Sequence, residues 1–297
     1  MTTAPMLPLL RQQFRFRRTT DTALPPLMGS AWRGAVGHAL RHMVCVTGKP
    51  TCDGCPVMPT CAYAEIFEAP PPDDALLLSG YPTAPHPYVV HVHPGHPRDP
   101  EARVDLTLIG RSTRHRELLH HAMLRAAGKG VANNTWTLQH HQHHHTWPEA
   151  PPVPASARIT LVTPLRLRVD NRYLRPEHFT FAAFFSTLLR RLTQLHALHG
   201  NGPPEVDAKA LVALARAQPV HLADLHWVEQ RRYSSRQRTQ MPMSGIVGSF
   251  VIGAPTGGPL HSFWPWLWQG QNTHVGKLCA MGLGHYTVAP DTPAGPG

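Results

Sequence analysis

The chain has 297 residues, more than one compact domain usually takes, so two domains are expected, and 42% hydrophobic content supplies two cores. A formal charge of +10, with only four lysines among 28 basic residues, leaves arginine to carry the field and points to a polyanionic partner. No run of about 18 apolar residues is present and no charged-then-apolar leader opens the chain, which argues against a membrane partner and for a soluble, cytoplasmic protein.

Arginine offers a planar fork that pairs with phosphate and guanine and stacks on bases. Codon usage in a GC-rich genome is the competing source of the arginine excess, since Ala, Pro and His also run high. Of five cysteines, four fall within residues 45–61, a distribution that suits a reducing cytosol better than a disulfide framework.

In chain order, "LLRQQFRFRRTTD" alternates apolar and basic residues as a half-exposed strand does. "LPPLMGSAWRGAVGHALRHMVC" has a helical pattern after Gly29, with Ser30 as the expected N-cap. A cysteine- and proline-rich insertion follows over residues 45–85. "PYVVHVH" and "ARVDLTLIG" are expected strands, "RSTRHRELLHHAMLRAAGKG" a helix stopped at Gly128, and "NNTWTLQ" a short strand. The histidine-rich stretch 140–154 is expected to be a linker or exposed loop, by composition rather than as a metal site.

The order then repeats. "ARITLVTPLRLRVD" alternates like a strand, and the next helix puts Phe181, Phe184, Phe185, Leu188, Leu192 and Leu195 on one face before Gly200. "LHWVEQRRYSSRQ" and "SGIVGSFVIG" are two expected strands around a short turn. "LHSFWPWLWQGQ" is a short amphipathic helix, and "AMGLGHYTVA" closes the sheet. Each half is β-α-β-β-α-β, so the expected fold is α+β with two tandem ferredoxin-like domains, 1–152 and 153–297.

The pieces "TPLRLRVD", "LLRRLTQLHALHG", "RYSSRQ", "GIVGSF" and "HVGKLCAMGLGHY" occur in the order and spacing of the CRISPR precursor-RNA-processing endoribonucleases of the RAMP superfamily, which the chain resembles. The segment from Trp32 through the cysteines is similar to that family's first domain. The resemblance spans about residues 30–288 and is thinnest over 86–155. It implies two RRM-like domains, binding of CRISPR repeat RNA (often a stem-loop), and cleavage of one phosphodiester without a metal or other catalytic cofactor. Other Cas subunits of an effector complex are further implied partners.

Such cleavage uses the RNA's own 2′-hydroxyl and leaves a 2′,3′-cyclic phosphate, so the protein moves protons and stabilises phosphorane charge. Histidine and arginine suit those tasks. In the family a catalytic histidine, where present, lies on or near the first helix. Here that helix carries His38 and His42 on one face, as candidate acid or base, with Arg33 and Arg41 as candidate phosphate contacts.

RNA contact is expected from Arg231, Arg232, Tyr233, Arg236, Gln237 and Arg238 on the second strand of the C-terminal domain. Extended backbone would put Arg232, Ser234 and Arg236 on one face, and Arg231, Tyr233, Ser235 and Gln237 on the other. A solvated edge strand would carry the same charge. Gly276, Gly282 and Gly284, with Lys277, resemble the family's glycine-rich loop, where backbone amides approach phosphate. Leu278 departs from the family's usual glycine, and Gly282 and Gly284 could instead serve strand packing.

Cys45, Cys52, Cys55 and Cys61 include a Cys-x2-Cys pair and are candidate ligands of a structural Zn, with an iron–sulfur cluster or free thiols as alternatives. Two other functions use the same features: a non-catalytic RAMP subunit that binds and caps the guide RNA, and a zinc-dependent nucleic-acid module.

Overall fold

The computed structural model describes residues 6–20, 22–70, 84–93, 95–145, 149–234, 239–253 and 260–291, with backbone alone for 232–234, 239 and 240. In the first half, β1 (Leu9–Arg18) is followed by α1 (Gly29–Val44), β2 (Tyr88–Val92), β3 (Glu101–Ile109), α2 (Arg116–Lys129) and β4 (Trp136–His144). The antiparallel sheet order is β2-β3-β1-β4, the ferredoxin-like arrangement. Leu10, Phe14 and Phe16 of β1 alternate inward onto Trp32, Val36 and Leu40 of α1 and onto Leu119, Ala122, Met123 and Ala126 of α2.

The second half runs β5 (Ser156–Leu165), β6 (Arg168–Val169), β7 (Arg172–Tyr173), α3 (Phe181–His199), α4 (Ala208–Ala217), β8 (His221–Val228), β9 (Arg231–Ser234), β10 (Thr239–Pro242), β11 (Gly245–Gly253), α5 (Leu260–Thr273) and β12 (Tyr286–Pro290). Its main sheet, β12-β5-β11-β8, repeats the topology of the first. All six apolar residues expected on one face of α3 are buried, against Ile159, Leu161, Phe250 and Tyr286 of the sheet and Phe263 of α5. Each such side chain contributes roughly 1.5–3 kcal/mol through removal from water. Thr180 caps α3 by accepting a hydrogen bond from the Ala183 amide at 3.2 Å.

Several local expectations are corrected. Ser30 lies buried inside α1, whose N-cap is Met28 with no side-chain cap. The stop of α2 is Gly130 at φ +116, and Gly128 stays helical, because the positive φ falls two residues later. The histidine tract is not all loop. Through His144 it forms β4, where pairing with β1 supplies backbone partners on an edge strand that tolerates polar side chains. Helix α4 was not anticipated. The expected strand bearing "RYSSRQ" is also not in the domain's main sheet: β9 pairs with β10 in a separate two-stranded hairpin, and β11 pairs with β8.

The halves share packing. Leu7, Leu9, Val89 and Ile109 of the first half join the core of the second, and Ala280 of the second joins the core of the first. Gly110, at φ +62, admits the His199 carbonyl where a β-carbon would collide with it. His199 Nε2 lies 2.8 Å from the Pro85 carbonyl, and Arg111 donates to the Leu198 carbonyl at 2.6 Å. No helix among the described residues is long and apolar enough to cross a membrane.

Candidate nucleic-acid interface

Helix α1 divides the four residues singled out on it. Arg33, Gly37 and Arg41 recur every four positions and so line one side. That side faces the cysteine-bearing segment. A β-carbon on Gly37 would press the Phe67 ring at 2.8 Å. The Arg33 guanidinium lies over Phe67, 5.6 Å from the ring centre, and Arg41 over Tyr63 at 5.7 Å. Arg41 also donates to the Lys49 carbonyl, and Arg33 Nη2 sits 3.4 Å from His86 Nε2. Burial, with Glu68 alongside, pushes the Tyr63 phenol up to about 12, so it stays a neutral platform for Arg41. The two arginines therefore hold the inserted segment against α1, while His38 and His42 project from the exposed side.

Cys45, Cys52, Cys55 and Cys61 are free, half-buried thiols lining one cavity, with Arg41 and Tyr63 in its wall. The Cys52-x2-Cys55 turn closes with the Cys55 amide donating to the Cys52 carbonyl at 3.1 Å. Backbone amides of Gly48 and Thr47 hold the Cys45 thiol below its ordinary pKa, whereas burial raises that of Cys52. Shared cavity, turn and one thiolate-favouring position fit a thiophilic metal. Among the described residues, the four cysteines do not form as close a set of ligand atoms as three histidines do elsewhere.

The glycine-rich loop lies at the junction of the two halves. Gly276, Gly282 and Gly284 have φ of +93, +85 and +68, and Leu278 shares that left-handed region at +66. A β-carbon on Gly276 would meet the Arg166 carbonyl at 2.6 Å, one on Gly282 the Val90 carbonyl of β2 at 2.7 Å, and one on Gly284 would collide with the Val275 carbonyl. The Lys277, Gly282 and Gly284 amides donate to the carbonyls of Arg166, Cys279 and Pro164 at 3.0, 2.9 and 3.1 Å. These glycines thus let backbone pack on backbone, the second of the two roles expected for Gly282 and Gly284. Gly29, the first residue of α1, abuts the Met281 carbonyl of the same loop. Lys277 is the exposed residue of the loop.

Of the "RYSSRQ" residues, Arg231 is exposed at the hairpin's root, and Arg232 and Tyr233 follow it in β9. Arg236, Gln237 and Arg238 lie outside the described residues. The root is tied down on both strands. Ser244 Oγ donates to Glu229 Oε2 at 2.7 Å and accepts from the Gln230 amide at 3.0 Å. The Met243 amide donates to the Gln230 carbonyl at 2.7 Å. Arg166 is 4% exposed, stacks 4.2 Å from the Tyr173 ring centre and donates to the Pro242 and Ser244 carbonyls, both at 2.8 Å.

The sheet of the first half contributes a face that motif reasoning passed over. With Phe14 and Phe16 turned to the helices, Arg15 and Arg17 rise from the opposite face, Arg15 across from exposed Arg103 of β3 and Arg17 across from Glu101, to which it donates at 2.9 Å. Register places His140 of β4 next to Arg15. The alternation of "RQQFRFRR" carried that signal. At the β2 edge of the same face are His91, His93 and Asp105, with the Asp105 carboxylate 2.9 Å from His93 Nε2. His274 and His285 of the second half pack onto His91, and the separation of these residues in sequence hid the cluster.

Comparison with known proteins agrees with this architecture. An N-terminal-domain family model, AF_1859_N, matches residues 7–157, and the model of CRISPR-associated endoribonuclease Cas6 matches 159–286. A Cas6 of Thermus thermophilus is 14% identical, with a TM-score of 0.58 over 96% of this chain and 100% of that one. A product complex of that Cas6 is 15% identical, with a TM-score of 0.61 over 95% of this chain and 99% of that one. The product of a Cas6-related gene from Pyrococcus furiosus is 7% identical, with a TM-score of 0.55 over 96% and 100%. At these identities the structural likeness establishes the fold, and no curated protein sequence matches the chain. Residues 159–286 carry the Cas6 model and residues 7–157 a separate N-terminal-domain model, laid end to end on this tandem ferredoxin-like scaffold, so the chain is a CRISPR-associated protein of the Cas6 type.

Proposed function

We propose that the chain binds CRISPR repeat RNA and cuts the precursor transcript once per repeat, by attack of the RNA's own 2′-hydroxyl without a catalytic metal ion. The Cas6 match across the second half carries this reading. The similar structures include a Cas6 product complex, a Cas6 substrate-mimic complex and a RAMP protein binding different RNA substrates, which supports RNA as the ligand. The binding surface assigned here comprises Arg15, Arg17 and Arg103 on the open sheet face, Lys277 beyond the glycine loop, and the arginines of the β9–β10 hairpin. Exposed cations of this kind suit electrostatic grip on phosphates more than base readout.

For the cut, His38 and His42 are the proposed proton carriers, because α1 presents both to solvent where RNA can reach them. Proton transfer of this kind contributes about 10²–10⁴-fold. Arg33 and Arg41 keep their proposed charge-stabilising role only if RNA draws them off Phe67 and Tyr63. A structural Zn on Cys45, Cys52, Cys55 and Cys61 would brace the inserted segment under α1, with no part in the cleavage. Other Cas subunits are proposed as later partners of the RNA-bound protein.

The test is incubation with a repeat RNA in EDTA and analysis of the product ends. Cleavage to a 2′,3′-cyclic phosphate is expected, with the single-turnover rate of His38→Ala down at least about 100-fold. A 3′-hydroxyl product would refute the mechanism. Tight binding with no cut would favour the guide-capping RAMP subunit, and loss of binding itself on chelation would favour the zinc-dependent module.

A further inference from the structure

We infer that His91, His274 and His285 form a binding site for one divalent d-block cation, Zn²⁺ in the first instance, that ties the two ferredoxin-like halves together. The three side chains come from both halves: His91 from β2, His274 from the turn after α5, and His285 from the turn before β12. One ligand nitrogen from each lies within 4.8 Å of the others. Ring centres are 4.3 Å apart for His91 and His285, 4.8 Å for His274 and His285, and 5.5 Å for His91 and His274.

The polar atoms of the cluster are the second observation. His91 is 5% exposed, and neither of its ring nitrogens has a protein partner. His285 Nδ1 is likewise buried without one. Unpaired buried nitrogens cost free energy that a bound ion would recover. His274 Nδ1 lies 3.1 Å from the Leu283 carbonyl, so that nitrogen donates and Nε2 keeps its lone pair for the cluster. A backbone carbonyl on the far nitrogen is the usual way a metal-ligating imidazole is oriented.

Burial is the largest cause holding all three rings below the ordinary histidine pKa, with His285 next for His91 and His274, and His93 and Arg11 next for His285; the neutral imidazole is the form that ligates. Asp105 sits across the β2–β3 ladder from His91, and its charge offsets that of Arg11, 3.8 Å away. A tetrahedral Zn²⁺ with bonds of about 2.0–2.1 Å spaces its nitrogens roughly 3.3 Å apart, so the rings swing inward on binding. His285 is half-buried, which leaves solvent access on one side for a fourth ligand, water. Three imidazoles and an open position match a known zinc donor set.

The site stands apart from the RNA chemistry and is tested without it. The full-length chain is stripped with chelator and titrated with Co²⁺, then Zn²⁺. A chain with Cys45, Cys52, Cys55 and Cys61 all replaced by Ser serves as the background, which removes thiolate binding in that cavity. One Co²⁺ is expected, with ligand-field bands, no thiolate-to-cobalt charge transfer, and displacement by Zn²⁺. Adding His285→Ala to that background should weaken the affinity by more than the about 10–100-fold that loss of an outer partner costs. His274→Gln should do the same. Thermal unfolding of each metal-free variant confirms its fold, and Zn²⁺ should raise the midpoint only where all three histidines remain. No cobalt uptake by the cysteine-substituted background, as expected if the cluster holds only water, would overturn the inference. Undiminished uptake by the folded His285→Ala chain would overturn it as well.

Discussion

Gly282→Ala tests whether the glycine-rich loop is a joint between the two halves or a cradle for phosphate. Gly282 has φ +85, and a β-carbon there would stand 2.7 Å from the Val90 carbonyl and 3.4 Å from His91 Cα. Both obstacles are backbone of β2, which pairs along its length with β3 and has no flexible end to yield. A left-handed φ costs an L-residue roughly 1–2 kcal/mol, and overpacking a filled contact adds about 1–3 kcal/mol. The sum, about 2–5 kcal/mol, corresponds to a midpoint lower by roughly 3–8 °C for a chain of this size. Gly34→Ala is the control: it is helical, exposed and has nothing within 4 Å of its virtual β-carbon. That change should stabilise by up to about 1 kcal/mol. Thermal unfolding of the full chain, in parallel with filter binding of repeat RNA, reads both effects. An unchanged midpoint in Gly282→Ala together with lost RNA affinity would refute the joint and restore the cradle.

Lys277→Ala should leave the midpoint unchanged, because the side chain is exposed, and should reduce the slope of log affinity against log salt by about 1. Arg166→Met removes the donor to two carbonyls at 2.8 Å and should cost about 3 kcal/mol in urea unfolding. It should also weaken RNA binding by freeing the hairpin, so that affinity and stability fall together, whereas Lys277→Ala lowers affinity alone. Burial first, then Arg33 and Arg191, pull the His86 pKa from 6.5 down to about 4. Between those values the unfolded chain takes up the extra proton. Stability is therefore complete above pH 6.5 and falls as the pH drops toward 4, by roughly 2–3 kcal/mol. His86→Phe should flatten that portion of the profile, and an unaltered profile would move the burden to other histidines.

The parts of the fold that sequence made visible are those governed by period. Alternation in "LLRQQFRFRR" and the apolar stripe of α3 each determine which face is inside, and the β-α-β-β-α-β order leads to the observed sheets. Partner choice is not encoded in period. "LHWVEQRRYSSRQ" has strand character throughout, yet β8 joins the main sheet and β9 leaves it. What separates them is the stitching of Glu229 and Gln230 to Met243 and Ser244, contacts between residues 13–15 apart that no alternation pattern records. The histidine tract shows the reverse error. Its composition resembled a loop, but β1 offered a free edge and the tract paired with it. The triad His91, His274 and His285 was beyond reach for a third reason, since it exists only once the two halves dock.

Arg166 connects these observations to function. Its guanidinium holds the carbonyls at the base of the β9–β10 hairpin, and its own carbonyl accepts the Lys277 amide of the glycine-rich loop at 3.0 Å. That loop in turn abuts β2 through Gly282 and the start of α1 through Gly29. One buried side chain thus fixes the arginine-bearing hairpin relative to the helix that presents His38 and His42. His38 lies nine residues beyond Gly29, about 13 Å along the helix axis. In the function proposed above, grip and cut lie on different surfaces joined by this seam. On this assignment, loosening the seam at Arg166 or Gly282 should scatter the cleavage position before it abolishes binding, whereas loss of His38 should slow the cut and leave its position unchanged.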